Sequence, residues 1–176
     1  MKLYFKKIDP RAQVPRFAHT GDMCFDLSVL IDEENNVPTM IDTDSNTGSE
    51  PKNVMVHTDG VGRKFITIPA QTGIIFHTGL KCATEAGWGL QVHVRSSIGI
   101  KKKLILSNAT GIIDTATYRG ELMIGLTNTS NLERKIYDGD RVAQGQIVQI
   151  YDVEIEEVDS LNITSRGEGG IGSSGR

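Results

Sequence analysis

The sequence predicts an all-β domain, a sandwich or a barrel, on three observations. Short runs rich in β-branched and aromatic residues recur along its 176 residues. Several of them alternate apolar and polar positions, and turn residues separate them with no sustained helical period anywhere. Such alternation marks a half-buried strand, whose side chains point to opposite faces in turn. In chain order the runs are KLYFKKI (2–8), KFITI (64–68), GIIFHTGL (73–80), LQVHVRS (90–96), KKLILS (102–107), ELMIGLTN (121–128) and GQIVQIYDVEIEEV (145–158). Turns of Pro, Gly and Asp character fall between them at Pro69–Gly73 and Tyr137–Asp140. A short helical turn fits Ser96–Lys101, although the pattern does not require it.

Composition narrows the function classes. The chain is 38% hydrophobic and 23% charged, with a net charge of −3, which fits one globular domain with a proper core. There is no basic excess to carry a nucleic acid and no acidic block. The opening MKLYFKKIDP has no apolar stretch suited to a signal peptide, and no run approaches the roughly 18 apolar residues of a membrane helix. Cys24 and Cys82 stand far apart without ligand spacing, so neither a zinc site nor a disulfide framework is expected, and a reducing cytosol is.

Residues 32–62 break the rhythm. They are polar, rich in Asn, Asp, Thr and Gly, and weakly periodic. An irregular segment longer than about 15 residues is uncommon inside a compact domain. The segment reads as a solvated insertion loop, and His57 with its neighbouring carboxylates lacks the spacing of a metal site. Its removal is expected to leave the domain standing.

Five polar, glycine-bearing stretches lie between the strands: AHTGDMCFDLSV (18–29), VRSSIGIKKKL (94–104), SNATGIIDTATYRGEL (107–122), YDGDRVAQGQIV (137–148) and RGEGGIGSSGR (166–176). Singly, each has a structural explanation; Asp26 can cap a turn, Tyr118 can be core, and the Gly-Asp-Arg of 139–141 can pair a charge at a strand entrance. Together they gather donors suited to phosphate oxygens: Arg95, Ser96, Ser97, Gln144, Arg166, Ser173 and Ser174. Asp114, preceded by Ile112 and Ile113, is a candidate base, because partial burial can hold a carboxylate close to one water. The glycines of the last stretch let backbone N–H groups approach a phosphate chain.

In this order and spacing the five stretches resemble the five motifs of the homotrimeric dUTP pyrophosphatase (dUTPase) family, from about residue 18 to 176 apart from 32–62. Gly-Ile-Ile-Asp with Tyr-Arg-Gly-Glu, and Arg-Gly-Glu-Gly-Gly-x-Gly-Ser-Ser-Gly, are the most specific matches. The resemblance implies a jelly-roll-like β-domain over 1–165 and a glycine-rich arm over 166–176 that closes over the site. It implies a threefold trimer with active sites shared between subunits, and hydrolysis of dUTP to dUMP and pyrophosphate with Mg2+. That reaction limits uracil in DNA and supplies dUMP for thymidylate synthesis.

By the same resemblance Asp26 meets the hydrated metal through water, and Arg95, Ser96, Ser97 and Gln144 bind phosphates. Asn108 helps read uracil with backbone groups of the following hairpin, around Gly111. Asp114 orients the attacking water. Tyr118 stacks under the sugar and leaves no room for a 2′-OH. Arg166, Gly170, Ile171, Ser173 and Ser174 belong to the closing arm.

The chain departs from the family pattern in several places. Three residues, Thr115-Ala116-Thr117, separate Asp114 from Tyr118 where two are usual, and a bulge would absorb the extra one. Ile171 stands where an aromatic is usual, and cannot stack on uracil as a ring does. Cys24 replaces a common glycine, Val94 a common proline, and Gly145 a larger apolar residue. These mark a divergent member, with a viral or phage gene and the host cytoplasm among the expectations. Two other readings compete: a dCTP deaminase of the same fold using Glu121, and a nucleotide-binding regulatory protein that meets a protein partner through 32–62.

Overall fold

The computed structural model describes residues 1–41 and 52–171. Its strands in chain order are β1 (Leu3–Lys7), β2 (Phe25–Ser28), β3 (Thr39–Ile41), β4 (His57–Thr58), β5 (Lys64–Ile68), β6 (Gly73–Phe76) and β7 (Leu80–Thr84). They continue as β8 (Trp88–Val94), β9 (Leu104–Leu106), β10 (Gly111–Ile113), β11 (Ile124–Asn128), β12 (Arg134–Tyr137) and β13 (Arg141–Gln149), with one short helix, α1 (Ser96–Lys102). The all-β class is borne out, and the helical turn after β8 is real. Four antiparallel sheets, ordered β1-β7, β10-β8-β13-β2, β3-β6-β11-β9 and β12-β5-β4, wrap one core.

The alternation read from the sequence is what fills that core. Ile66 and Ile68 of β5, Ile74 and Phe76 of β6, Leu90 and Val92 of β8, and Ile124 and Leu126 of β11 turn inward with Phe25 and Leu27 of β2. Gly145 of β13 faces Phe25 across the ladder. A Cβ there would lie 2.7 Å from the Phe25 ring and 2.9 Å from Leu90, so Phe25 fills the space that a larger residue at 145 would take.

Three expectations change. The run 73–80 is not one strand: it breaks after Phe76, because the N–H groups of Thr78 and Gly79 bond to the Glu121 carboxylate instead of a neighbouring strand. The run 145–158 stops pairing at Gln149. Beyond it Val153 and Ile155 are exposed, Ile155 by 93%, so their alternation joins no sheet among the described residues. The segment 32–62 is not a loop throughout. Asp32, Asn36 and Pro38 are buried, β3 pairs with β6, β4 pairs with β5, and Val54 and Val56 pack on the core. Its middle, 42–51, lies outside the described residues.

A polar knot fixes the start of that segment. Asp32 Oδ1 accepts the backbone N–H groups of Glu34, Asn35 and Asn36 at 2.9, 2.7 and 2.9 Å. Its other oxygen takes the Asn36 amide at 3.0 Å and the Arg11 guanidinium. Although burial opposes ionisation, these donors hold the Asp32 carboxyl well below the usual range. Arg11 also binds Asp9, whose pKa falls to about 2.

Candidate active site

Strand β2 lies beside β13, which lies beside β8, and this order brings three of the five polar stretches to one place. Asp26 and Gln144 are direct partners, and Gln144 is in turn opposite His93. Arg95 leaves β8 in extended geometry (φ −71°, ψ 143°) and caps α1, so Ser96 and Ser97 stand exposed on the first helical turn. The result is an open cleft of about 510 Å³ lined by Asp26, Arg95, Ser96, Ser97 and Gln144, with Asp22, Met23 and Cys24 on its rim. Burial and the neighbouring Asp22 and Asp26 push the Cys24 thiol pKa up, which keeps it protonated and unreactive.

Charge in the cleft is ordered around Asp26. Its Oδ1 accepts Arg95 Nε at 2.6 Å, and its Oδ2 accepts a guanidinium N–H of Arg141 at 2.9 Å. Arg95 also donates to the Arg141 carbonyl at 3.1 Å. The pairing of β13 with β2 slips between Arg141 and Ala143, and such an irregularity re-aims the side chain it carries. Arg141 is thus the charge at a strand entrance that Gly-Asp-Arg announced, and its partner is a residue of the site. The side chain of Gln144 donates to the Val94 carbonyl at 3.3 Å, which turns it along the sheet toward the cleft.

No group of three or more His, Cys, Asp or Glu gathers among the described residues to cage a metal. Both oxygens of Asp26 already bear an arginine, yet a carboxylate oxygen has a second lone pair. That donor set fits a hydrated cation carried by phosphate oxygens and touching Asp26 through water. It does not fit an ion held directly by protein.

The remaining predicted residues lie elsewhere. Asn108 is exposed in the β9–β10 turn, where its carbonyl accepts the Thr110 N–H at 2.7 Å. Gly111 opens β10 against Val92. Asp114, just past β10, is exposed rather than partly buried as expected, since Ile112 turns outward and leaves no apolar wall around it. The extra residue after it is absorbed by a helical turn, not a bulge: the Asp114 carbonyl accepts the N–H groups of both Thr117 and Tyr118, at 2.9 and 2.7 Å. Thr115 anchors this turn inside the domain, fully buried and hydrogen-bonded to Thr84 and to the Trp88 carbonyl.

Arg119, which the sequence reading left without a role, lashes the turn from outside. Its guanidinium donates to the carbonyls of Thr115, Ala116 and Tyr118 at 3.0, 2.8 and 2.8 Å. The Tyr118 ring stands 42% exposed, its hydroxyl donating to the Glu121 carbonyl at 3.0 Å.

These two groups do not meet within one chain. Ile113 pairs with Leu90, so Asp114 stands level with Gly89, and Arg95 lies at the opposite end of β8. At ~3.3 Å per residue the separation is about 20 Å. The arm is a third group. Arg166 bonds to the Gly169 carbonyl at 2.9 Å, Gly167 to Thr164, and Gly170 and Ile171 are exposed. Ser173 and Ser174 lie outside the described residues.

Glu121, the residue a deaminase reading would use as its base, is already committed. One oxygen accepts Thr78 N–H at 3.1 Å and Gly79 N–H at 2.7 Å, and the other accepts His77 Nδ1 at 2.8 Å. Only 15% of the side chain is exposed. Despite a burial penalty, its pKa is lowered by His77 and the two backbone donors, while the bond to Glu121 raises that of His77.

A dUTPase family model matches residues 61–175. The deoxyuridine 5'-triphosphate nucleotidohydrolase of Helicobacter pylori (strain Shi470) is 30% identical over 175 residues, covering 99% of this chain and 97% of its own. Among solved structures, a mutant dUTPase of Staphylococcus bacteriophage 80alpha with dUpNHpp superimposes with a TM-score of 0.72 at 20% identity, over 99% of both chains. A mutant dUTPase from phage phi11 of S. aureus, described as coordinating a structural Mg(II) ion, gives 0.65 at 18% identity over 93% of this chain and 100% of its own. The matched span holds the donor cleft from Arg95 to Gln144 and the Asp114–Tyr118 turn, and the chain belongs to the dUTPase family.

Proposed function

We propose that this protein hydrolyses dUTP to dUMP and pyrophosphate at sites assembled between the chains of a homotrimer. The observation that carries the reading is the cleft in which Arg95, Ser96, Ser97 and Gln144 converge beside Asp26, in a chain of this family. Four donors on one open surface suit a polyphosphate, whose charge grows on the leaving group as the bond breaks.

Each group then has a task. Arg95, held by Asp26 and the Arg141 carbonyl, presents its remaining N–H groups to phosphate oxygens without having to reorganise. Asp114, exposed at the end of β10, accepts a hydrogen bond from the attacking water and aligns it with the phosphorus. Asn108 and the backbone of the β9–β10 hairpin read the uracil edge, where cytosine would leave polar groups unpaired. Tyr118 packs against the deoxyribose. Arg166 and the glycines around Gly170 bring the arm over the phosphates, with Ile171 giving apolar cover to the base in place of a ring. Mg2+, touching Asp26 through water, supplies charge neutralisation on the triphosphate when bound.

Two observations support assembly from more than one chain. The phosphate donors and Asp114 are about 20 Å apart along β8, too far to serve one substrate. The tail also exposes Val153, Ile155, Leu161 and Ile163, a row of apolar residues left uncovered among the described residues. We place the reaction in the cytoplasm, where Cys24 and Cys82 stay reduced; Cys82 is buried and its pKa is pushed up to about 11. No described helix is long and apolar enough to cross a membrane.

The test is pyrophosphate release across dUTP, dCTP, dTTP and UTP. Release from dUTP alone is expected. Ammonia release from dCTP would overturn the reading. Asp114→Asn is expected to abolish turnover while a non-hydrolysable dUTP analogue still binds, and near-normal turnover in that variant would remove Asp114 from its role.

A further inference from the structure

We infer that Gly120 is a specificity-determining positioning residue, whose missing Cβ allows Tyr118 to lie where it excludes a ribose 2′-OH. The inference rests on the reading of Tyr118 as the residue packed against the sugar. A Cβ built on Gly120 would stand 2.1 Å from Tyr118 Oη, 2.3 Å from Cζ and 2.8 Å from Cε2. Non-bonded heavy atoms settle at about 3.5–4.0 Å, so the ring and any side chain at 120 are mutually exclusive.

The ring is fixed at both ends. Its backbone N–H bonds to the Asp114 carbonyl at 2.7 Å, closing the helical turn that takes up the extra residue of this chain. Its hydroxyl reaches over Gly120 to the Glu121 carbonyl at 3.0 Å. Glu121 is itself immobile, because its carboxylate is bonded to His77, Thr78 and Gly79. Held by these two bonds, the ring lies in the space above Gly120 that a Cβ would take. A larger residue there drives the ring outward and breaks the hydroxyl bond.

The cost of such a change falls on ring position rather than on folding. Gly120 does not adopt left-handed backbone geometry, so alanine is compatible with its main chain. The atoms it would displace are the far end of an exposed side chain, which can swing into solvent. A glycine serving only the turn would behave differently, since its replacement would lower the rates on all substrates together.

The experiment compares kcat/KM for dUTP and UTP in the full-length wild type, Gly120→Ala, Tyr118→Ala and the double variant. Packing against one added group discriminates by roughly 10–200-fold. Gly120→Ala is therefore expected to lower the dUTP/UTP ratio about tenfold or more, through better use of UTP as well as weaker use of dUTP. Tyr118→Ala is expected to lower it at least as far, and the double variant no further than Tyr118→Ala alone.

If Tyr118→Ala lowers the ratio and Gly120→Ala does not, Gly120 is not a positioning residue, although the Tyr118 reading survives. If Tyr118→Ala leaves the ratio unchanged, the Tyr118 reading falls and this inference with it. Should Gly120→Ala fail to fold, the double variant decides. Recovery of the fold on removing the ring supports the clash between them, and failure of both variants overturns it.

Discussion

Glu121→Ala is expected to weaken the fold by about 3–4 kcal/mol, and the figure follows from what the carboxylate holds. The side chain is 15% exposed and accepts two backbone N–H groups and the His77 ring. Truncation leaves the Thr78 and Gly79 donors, both on buried residues, without a partner, at about 1 kcal/mol each, the low end for such groups because the space vacated by the carboxylate admits water. It also removes a hydrogen-bonded ion pair with His77 worth about 1–2 kcal/mol. For a chain of this size each kcal/mol shifts Tm by roughly 2–4 °C, so melting should fall by about 10 °C at fixed protomer concentration. Glu121→Gln keeps one acceptor oxygen for the two N–H groups and is expected to cost about half as much.

The pH dependence gives the prediction a signature that a merely smaller side chain would lack. His77 is raised above its ordinary 6.5, so its contribution is complete below 6.5 and is lost as pH rises through its folded pKa. Glu121 is lowered below its ordinary 4.5, so its contribution is complete above 4.5 and is lost as pH falls through its folded pKa. The gap between wild type and Glu121→Ala should therefore be widest between 4.5 and 6.5. Above that window it narrows as His77 loses its charge, though the two backbone bonds persist. Denaturant titrations across this range measure it. A gap below about 1 kcal/mol, or one that does not vary with pH, would show that the corner rearranges around the loss and would refute the assigned anchor.

Two further outcomes concern the site and the segment beside it. Arg119→Met removes three donors from the turn that carries Asp114 and Tyr118. It should cost only about 1–2 kcal/mol of stability, yet misplace the Asp114 carboxylate, the water-orienting group of the proposed function, enough to lower kcat for dUTP about tenfold or more. Steady-state kinetics beside a melt separates the two effects, and an unchanged kcat would leave Arg119 a surface residue. Replacing 32–62 by a short turn, harmless on the sequence reading, now removes β3, β4, Val54, Val56 and the Asp32 knot. It should cost about 5 kcal/mol or more, and a shortened chain that melts with the wild type would restore the insertion-loop view.

The polar stretches were legible because their chemistry is local in sequence. Arg95, Ser96 and Ser97 are neighbours, and so are Asp114 and Tyr118, which made both groups recognisable before their places were known. The strands were legible wherever one face is buried, as in KFITI, where Ile66 and Ile68 enter the core. What escaped was settled by partners far along the chain. Asp26 and Arg141 are 115 residues apart, Glu121 and His77 are 44 apart, and Arg11 and Asp32 are 21 apart, and no periodicity announces such pairs. The misread stretches share this cause. GIIFHTGL looks continuous because a carboxylate that interrupts its ladder comes from Glu121, and residues 32–62 look solvated because their few apolar side chains meet strands formed elsewhere.

The same distinction accounts for the arrangement of the site. The residues proposed to recognise a nucleotide need only short motifs, whereas the residues that orient them are drawn from across the fold: Arg141 sets Asp26, Arg119 sets the Asp114 turn, and Glu121 fixes the ledge that Tyr118 reaches. Each of those three is a charged side chain spent on the protein's own atoms. A cleft so braced holds phosphate donors in place without substrate. The arm, from Arg166 onward, is braced among the described residues only by bonds within itself and to Thr164 just before it. Under the proposed function, rigid donors with a loose cover would let substrate enter an open site and still find its reacting groups preset, so that closure of the arm would cost order in one segment alone.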